Sequence, residues 1–202
     1  MTKRAPGRFQ RNRNDFYATP PQAAEPLLPY LEAQGIRTFA EPCSGDGALV
    51  RFFEAHNLTC TYAGDIRNGN SALALSHILL KHPDCIITNP PYVRPIMHVL
   101  IKYFISLAPT WLLLEFDWFA TYQAVNYVRH CTDVVPIGRV KWIPNSPSVG
   151  FDNYAWAHFR QDHDRGPHLH SRDWWSSPPS VEVTVGCTRH QQSPLKDEGV
   201  IP

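Results

Sequence analysis

The sequence predicts an α/β fold with a doubly wound, mostly parallel sheet and a final antiparallel strand. Three observations support this fold class. Segments with strand and helix character alternate along the chain, and the run 111–114 is apolar at every position, as in a strand that helices cover on both faces. Turns rich in glycine or proline follow the first and third predicted strands, where such sheets bind their ligands.

The composition is that of a globular protein with one domain. The chain has 202 residues, of which 43% are hydrophobic, and no apolar stretch approaches the roughly 18 residues that span a membrane. The N-terminus lacks the apolar core of a secretory signal, and the five cysteines form no C-x-x-C pair. We therefore expect a cytoplasmic protein with free thiols and no membrane contact.

Charge and composition divide the chain into three parts. Residues 1–14 carry five cations before the first acidic residue and predict a flexible basic arm that contacts phosphates, with a solvated tail as the alternative. We expect residues 15–160 to form the main domain. Residues 161–202 are polar and predict a partly irregular extension. His163, His168 and His170 have no cysteine at ligand spacing, so we expect them to belong to a solvated tail without a metal site.

Prolines and a glycine bound the first predicted helix, over 22–34. Thr19 is a good N-cap, and prolines 20 and 21 stand where a missing N–H costs little. Gly35 ends the helix.

The remaining elements follow from apolar runs between turns. Apolar, β-branched or aromatic runs predict the strands 38–42, 60–63, 84–88, 111–114, 133–142, 153–159 and 181–185. Turns between strands and apolar positions at helical spacing predict the helices 48–56, 72–81, 94–108 and 121–130.

The four residues Asn89, Pro90, Pro91 and Tyr92 directly follow the predicted third strand. Proline neither continues a helix nor donates a backbone hydrogen bond, so Pro90 and Pro91 keep the strand exit open. The Asn89 side chain and the Pro90 carbonyl can then accept two hydrogen bonds from one planar NH2 group, and Tyr92 can stack on the ring that carries it. The alternative is a proline-rich turn without a catalytic role.

A glycine turn after the first strand predicts a cofactor site. Gly45 and Gly47 let the backbone approach a ligand closely, and the following helix supplies free N–H groups. Val50 stands where the NAD fingerprint has its third glycine, which argues against NAD. Asp65, 20 residues after Gly45 (65 − 45), can accept both hydrogen bonds of a ribose diol, or it simply begins a turn.

Together these motifs resemble those of DNA adenine-N6 methyltransferases that depend on S-adenosylmethionine, in the compact form often carried by phages. The resemblance covers about residues 15–160 and implies a Rossmann-like methyltransferase sheet. The turn 41–47 resembles the cofactor motif Asp-Pro-x-x-Gly-x-Gly, with Glu41 in place of Asp. The run 17–20 resembles the Tyr-x-Thr-Pro element that contacts the methionine end of the cofactor.

The resemblance implies a function for each matching residue. It assigns the S-adenosylmethionine site to Tyr17, Thr19, Glu41, Pro42, Cys43, Gly45, Gly47, Asp65, Ile66 and Asn89, and catalysis to Asn89, Pro90, Pro91 and Tyr92. It also implies a bacterial cell or a phage-infected host. Two family features are missing from the sequence: a third strand with an acidic residue that contacts the cofactor's adenine, and a target-recognition domain.

Substrate contacts are predicted around the turn-rich stretch 143–150. The predicted substrate-binding residues are Tyr92, Arg139, Lys141, Asn145 and Ser148. The amide and hydroxyl side chains can contact the target strand, the cations can contact phosphates, and the tyrosine can stack on a base flipped out of the duplex. The alternative is an ordinary hairpin loop between the last two strands.

DNA is the expected partner, with RNA as an alternative, and the chain is expected to act as a monomer or a homodimer. Related motifs serve methyl transfer to ribosomal RNA and to a glutamine of release factors, because an amide NH2 poses the same geometric problem. The basic arm favours nucleic acid, and the run 17–20 favours DNA. A catalytically silent methyltransferase-like subunit is a further alternative, although it would need neither Asn89 nor the glycines.

Overall fold

The computed structural model describes residues 18–75, 82–144 and 149–171. The strands of these residues are β1 Thr38–Glu41, β2 Thr59–Ala63, β3 Cys85–Thr88, β4 Thr110–Glu115, β5 Cys131–Arg139, β6 Asn153–Phe159 and β7 His168–Leu169. They form one sheet in the order β2-β1-β3-β4-β6-β5-β7. The strands β1 to β4 are parallel, and β6 lies between β4 and β5 and is antiparallel to both. The predicted α/β class, with a mostly parallel, Rossmann-like sheet, is therefore confirmed.

Short helices connect these strands. The α-helices of the described residues are α1 Pro21–Ala24, α2 Leu28–Ala33, α3 Ala48–Ala55, α4 Arg94–Ile105 and α5 Val125–Val128. The 3₁₀ segments are Glu25–Leu27, Ile66–Asn68, Phe116–Ala120 and Tyr122–Ala124.

The sheet has a hydrophobic cluster on each of its faces. On β4, Trp111 and Leu113 belong to one cluster, and Leu112 and Leu114 belong to the other. All four side chains are fully buried, which explains why this strand is apolar at every one of these positions. β4 contributes side chains to both clusters and therefore lies at the centre of the core. Burying each Leu-sized side chain contributes about 1.5–3 kcal/mol to stability.

Proline breaks the first predicted helix into three pieces. The sequence predicts one helix over 22–34, but α1 is followed by the 3₁₀ segment Glu25–Leu27 and then by α2. Pro26 and Pro29 have no N–H to donate to the carbonyl four residues earlier. The α-helical hydrogen-bond ladder therefore cannot run through this stretch.

Pro20, and not Thr19, is the N-cap of α1. The predicted capping by Thr19 is wrong, because the Thr19 hydroxyl binds Asn89 instead. The helix is attached to the sheet by a buried hydrogen bond in which Trp156 Nε1 donates to the Ala23 carbonyl at 2.7 Å. This bond fixes the position of the chain segment that carries Thr19.

Two later elements also differ from their predictions. In place of the helix predicted over 121–130, the chain forms the 3₁₀ segment Tyr122–Ala124 and the single turn of α5. The β-branched and aromatic residues of this stretch lose side-chain freedom in a long helix. The strand predicted over 133–142 is β5, which begins at Cys131 and ends at Arg139.

Several predictions lie outside the described residues. They are the basic arm 1–14, the cofactor residue Tyr17, the substrate residues Asn145 and Ser148, the strand 181–185 and most of the helix predicted over 72–81. Beyond residue 160, where the main domain is predicted to end, β7 adds two residues beside β5. Across the described ranges, the chain contains no helix with the length and apolar character that a membrane span needs.

Candidate active site

The turn after β1 is shaped by glycine and held to the end of β2. Gly45 and Gly47 have φ angles of 57° and 79°, a left-handed conformation that strains residues with a Cβ. The Ser44 N–H donates to the Gly64 carbonyl at 2.8 Å, and the Gly64 N–H donates to the Glu41 carbonyl at 3.0 Å. The turn therefore lies at the carboxyl ends of β1 and β2, and α3 begins directly after it.

The Asp65 carboxylate ties the residue after β2 to this turn. Its Oδ2 accepts a hydrogen bond from the Gly45 N–H at 2.9 Å, and its Oδ1 accepts bonds from the N–H and the Nε–H of Arg67 at 2.9 and 2.8 Å. Burial raises the pKa of Asp65, but the hydrogen bonds from Arg67 and Gly45 outweigh it, so the pKa is lowered. A carboxylate offers about four acceptor positions, so one remains for a ligand hydroxyl.

Glu41, the last residue of β1, carries a carboxyl group with almost no solvent contact. The residue is 2% exposed, and within the described part of the chain its Oε2 has no hydrogen-bond partner. Burial, together with the nearby carboxylates of Asp46 and Asp65, raises the pKa of Glu41 to about 8. A cationic ligand bound at the turn would favour the ionised form. The Glu41 carboxyl group accepts a hydrogen bond from the Val50 backbone, and its Oε2 is a buried acceptor without a partner among the described residues, at the predicted cofactor site.

The remaining predicted cofactor residues lie close by. Pro42 and Cys43 lead from β1 into the turn, and the Cys43 side chain approaches Thr88, the last residue of β3. Burial raises the pKa of the Cys43 thiol to about 12, so the thiol is protonated and not a nucleophile. Ile66 is 72% exposed and leaves an apolar side chain free to pack against a ligand.

Asn89 leaves β3 with its side-chain amide between two hydroxyl groups. Its Nδ2 donates to Thr19 Oγ1 at 3.1 Å, and the Tyr92 hydroxyl donates to its Oδ1 at 2.7 Å. Pro90 is buried and Pro91 is exposed. The four predicted catalytic residues thus lie between β3 and α4. The second lone pair of Asn89 Oδ1 can accept a hydrogen bond from a substrate NH2 group.

Tyr92 packs against the aromatic residues of the neighbouring hairpin. Its ring centroid lies 5.9 Å from that of Tyr154, which in turn lies 5.0 Å from that of Trp142. Burial, with smaller effects of Tyr154 and Glu115, raises the pKa of Tyr92 well above its ordinary value, so the hydroxyl is a neutral donor. Tyr92 is partly exposed and packs against both hydrophobic clusters of the sheet, and its stacking on a substrate ring stays a prediction.

The strands β5 and β6 form a hairpin whose connection lies at the carboxyl end of β4, the end of the sheet that also carries Asn89 and the glycine turn. The pairing of Tyr154 with Glu115, the last residue of β4, places the hairpin connection at the same end of the sheet as the predicted catalytic residues. Arg139 and Lys141 are exposed there. Phe151, in the same connection, is 74% exposed and is not among the substrate residues predicted from the sequence.

Gly64 lies in close contact with a neighbouring tyrosine. A Cβ added at Gly64 would overlap the hydroxyl end of the Tyr62 side chain. The N–H and carbonyl of Gly64 both bind the glycine turn, so its backbone cannot shift away without breaking those bonds. A side chain at position 64 therefore requires the ring end of Tyr62 to move aside.

A second polar cluster lies at the opposite edge of the sheet and was not predicted. The Asp133 carboxylate contacts His170 Nε2 at 2.9 Å and His158 Nδ1 at 3.4 Å. Burial raises the pKa of Asp133, but hydrogen bonds from His158, His170 and Thr132 outweigh it and hold the pKa well below its usual range. His158 is buried and stacks on Trp111 near the start of β4. The cluster is therefore remote from the Asn89 site.

No protein-family model matches the sequence, and no curated protein matches it. Among solved structures, the chain is similar to a precorrin-6y C5,15-methyltransferase from Geobacter metallireducens GS-15, with 16% sequence identity and a TM-score of 0.37. This similarity covers 71% of this chain and 94% of that chain. A similarity this low assigns no function, and the fold assignment follows from the strand order and pairing.

Proposed function

We propose that the protein is an S-adenosylmethionine-dependent methyltransferase that acts on the N6 amino group of adenine in DNA. The observation that carries the proposal is the Asn89 amide, which follows β3 at the same sheet edge as the glycine turn. Thr88 and Cys43 approach one another across β3 and β1, so the two motifs are neighbours in space. This neighbourhood is what transfer of a group from a cofactor to a planar NH2 requires.

The residues at the glycine turn suit S-adenosylmethionine, which carries positive charge and a ribose diol. The buried Glu41 carboxyl group has an orphaned oxygen, and a cationic ligand would give it a partner. Asp65 retains one acceptor position for a ribose hydroxyl. The exposed side chain of Ile66 can cover an apolar ligand surface. Glu41, Gly45, Asp65 and Ile66 are therefore the residues that would hold the cofactor.

The chain's own contribution to the chemistry is positioning. When bound, the cofactor supplies an electrophilic methyl group. Asn89 Oδ1 and the Pro90 carbonyl accept hydrogen bonds from the substrate NH2, which favours a pyramidal nitrogen and directs its lone pair towards the methyl group. No side chain forms a covalent bond with the substrate. The proton lost from nitrogen passes to solvent, since neither acceptor is a strong base.

Two features support nucleic acid over a protein glutamine as substrate. Arg139 and Lys141 are exposed on the hairpin beside Asn89, where they can contact phosphates. The ring of Phe151 is exposed on the same hairpin, and an aromatic ring can stack on any unpaired base. Adenine in DNA is proposed because of the resemblance of the run 17–20 to the Tyr-x-Thr-Pro element.

Methyl-transfer assays with purified full-length protein test the proposal. The protein is incubated with S-adenosylmethionine carrying a labelled methyl group and, separately, with duplex DNA, single-stranded DNA, RNA and release factor. Digestion and mass spectrometry then identify the modified nucleoside or residue. We expect N6-methyladenine from DNA, and label lower by about 100-fold or more with the Asn89→Ala variant.

The other outcomes contradict the proposal in different ways. If label appeared only in RNA or only in protein, the proposed substrate would be wrong, and the proposed methyl transfer to an NH2 group would stand. Cofactor binding by calorimetry without transfer to any substrate would support a silent subunit. Absence of cofactor binding would reject the methyltransferase assignment itself.

A further inference from the structure

The side-chain amide of Asn89 is bracketed by hydroxyl groups from two distant parts of the chain. Thr19 lies 70 residues before Asn89 and accepts from its Nδ2 at 3.1 Å. Tyr92 lies three residues after it and donates to its Oδ1 at 2.7 Å. Thr19 is 8% exposed, so water does not compete freely for its hydroxyl group. The two hydroxyls therefore hold the amide at both ends.

The orientation of this amide decides whether the motif can bind an NH2 group. Rotation by 180° would exchange the positions of Oδ1 and Nδ2, and a substrate NH2 would then face another NH2 group. A phenol is a better donor and a poorer acceptor than an aliphatic alcohol, because its oxygen lone pair is delocalised into the ring. Tyr92 therefore favours the oxygen of Asn89, and Thr19 favours its nitrogen.

Thr19 is itself held in place by the elements around it. As the residue before Pro20, it is restricted to an extended backbone. The helix α1 begins at the next residue but one, and its Ala23 carbonyl accepts the buried hydrogen bond from Trp156 Nε1. Thr19 is thus fixed relative to β6, the strand whose Tyr154 packs on Tyr92. Residues of the same strand, β6, therefore hold in place both of the hydroxyl groups that contact Asn89.

We propose that Thr19 is a positioning residue, which together with Tyr92 fixes the Asn89 amide so that Oδ1 faces the substrate amino group. The proposal rests on the proposed methyltransferase function and assigns Thr19 a role apart from cofactor contact. Loss of the Thr19 acceptor lets the amide rotate and leaves Nδ2 unpaired. The chemical step suffers, because only one of the two orientations accepts the NH2 hydrogen bond.

The test uses matched substitutions. Thr19→Val keeps the shape of the side chain and removes the acceptor, whereas Thr19→Ser keeps the hydroxyl group. Thr110→Val is the control, because it removes a buried threonine hydroxyl whose one hydrogen bond among the described residues is to the Ala108 carbonyl, at the far end of β4. We expect kcat to fall about 10- to 100-fold in Thr19→Val, with near wild-type kcat in Thr19→Ser and Thr110→Val. The KM for S-adenosylmethionine should change less than about twofold.

A second readout does not depend on activity. The side-chain NH2 of Asn89 is identified in the NMR spectrum by its disappearance in Asn89→Ala, and its exchange with solvent is measured in the protein without ligand. We expect faster exchange in Thr19→Val and wild-type exchange in Thr19→Ser. Unchanged exchange and unchanged kcat in Thr19→Val would overturn the proposal, as would a loss confined to the KM for the cofactor. An inactive wild-type protein would instead reject the proposed function, and the exchange measurement would still decide the role of Thr19.

Discussion

The backbone N–H of Gly45 donates a hydrogen bond to the Asp65 carboxylate at 2.9 Å, across an interval of 20 residues. Asp65 therefore shapes the glycine turn in addition to offering an acceptor to a ligand. Its hydrogen bonds to Arg67 hold the carboxylate in the orientation that meets this N–H. The two predicted cofactor motifs, one after β1 and one after β2, form a single unit.

Asp65→Ala should weaken binding of S-adenosylmethionine by about 1–3 kcal/mol, because the Gly45 N–H and one ribose hydroxyl lose their acceptor. Isothermal titration calorimetry measures the dissociation constant. Asp162→Ala is the control, because Asp162 also pairs with an arginine but lies on an exposed turn after β6. Equal affinity of the wild type and Asp65→Ala would show that Asp65 has no part in the cofactor site.

Glu41→Gln should make the protein without ligand more stable at alkaline pH. The pKa of Glu41 is about 8 when folded, against an ordinary value near 4.3, so the folded chain holds a proton that the unfolded chain releases. The free energy of unfolding therefore falls as pH rises from about 4.3 through about 8. Glutamine removes this dependence, and urea unfolding between pH 5 and pH 9 measures it. If the free energy of unfolding of Glu41→Gln fell with pH as steeply as that of the wild type, Glu41 would not be the group that holds the proton.

The same substitution should weaken cofactor binding, because glutamine offers no negative charge to a cationic ligand. Binding of S-adenosylmethionine to the wild type at pH 7 should also release a proton as Glu41 ionises. Calorimetry in buffers of different ionisation enthalpy counts that proton. Proton release that persists in Glu41→Gln would assign it to another group.

Asn89→Ala should lower kcat about 100-fold or more while leaving the cofactor dissociation constant nearly unchanged. Alanine removes the side-chain acceptor for the substrate NH2 and leaves the glycine turn intact. Steady-state kinetics and calorimetry on the same preparation measure the two quantities. A large loss of cofactor affinity would mean that Asn89 acts mainly in binding the methyl donor.

Lys141→Gln should weaken DNA binding mainly at low salt. If Lys141 contacts one phosphate, the slope of log Kd against log salt concentration should fall by about 0.9. Fluorescence anisotropy at several salt concentrations measures this slope. The matched control is Lys102→Gln, an exposed lysine of α4 whose ammonium group lies over the Tyr127 ring. An unchanged slope in Lys141→Gln would exclude a phosphate contact by this residue.

Asp133→Asn should destabilise the fold at neutral pH without affecting cofactor binding. The folded-state pKa of Asp133 is depressed, so its carboxylate stabilises the protein above the ordinary Asp pKa of about 3.9 and loses this contribution as pH falls below that value. Urea unfolding between pH 3 and pH 7 should show a weaker acid dependence in the variant. If the free energy of unfolding depended on pH equally in the wild type and the variant, the contacts of Asp133 with His158 and His170 would not contribute to stability.

The sequence predicts the parts of the fold that depend on local patterns. The apolar run at 111–114 is the central strand β4, and the motifs at Gly45 and Asn89 both follow strands at the carboxyl edge. These features are predictable because each strand, turn or glycine position is determined within a few residues. The assigned roles of the site residues stay predictions.

Interactions between distant residues were not predictable in the same way. Thr19 has the local pattern of an N-cap, but its hydroxyl accepts from an amide 70 residues away. The contacts of Asp133 with His158 and His170 likewise depend on how β5, β6 and β7 meet at one edge. The broken first helix is different, because it follows from a local pattern. Pro26 and Pro29 stand inside the predicted range 22–34, and proline interrupts an α-helix.

The close contact between Gly64 and Tyr62 has a consequence for variation among relatives. A side chain at position 64 fits this geometry only if the ring end of Tyr62 moves aside or position 62 carries a smaller residue. The two positions are therefore expected to covary, with glycine favoured at 64 where an aromatic ring stands at 62. An alignment of homologues that showed this pairing would identify relatives sharing the same geometry at the end of β2, even where overall identity is low.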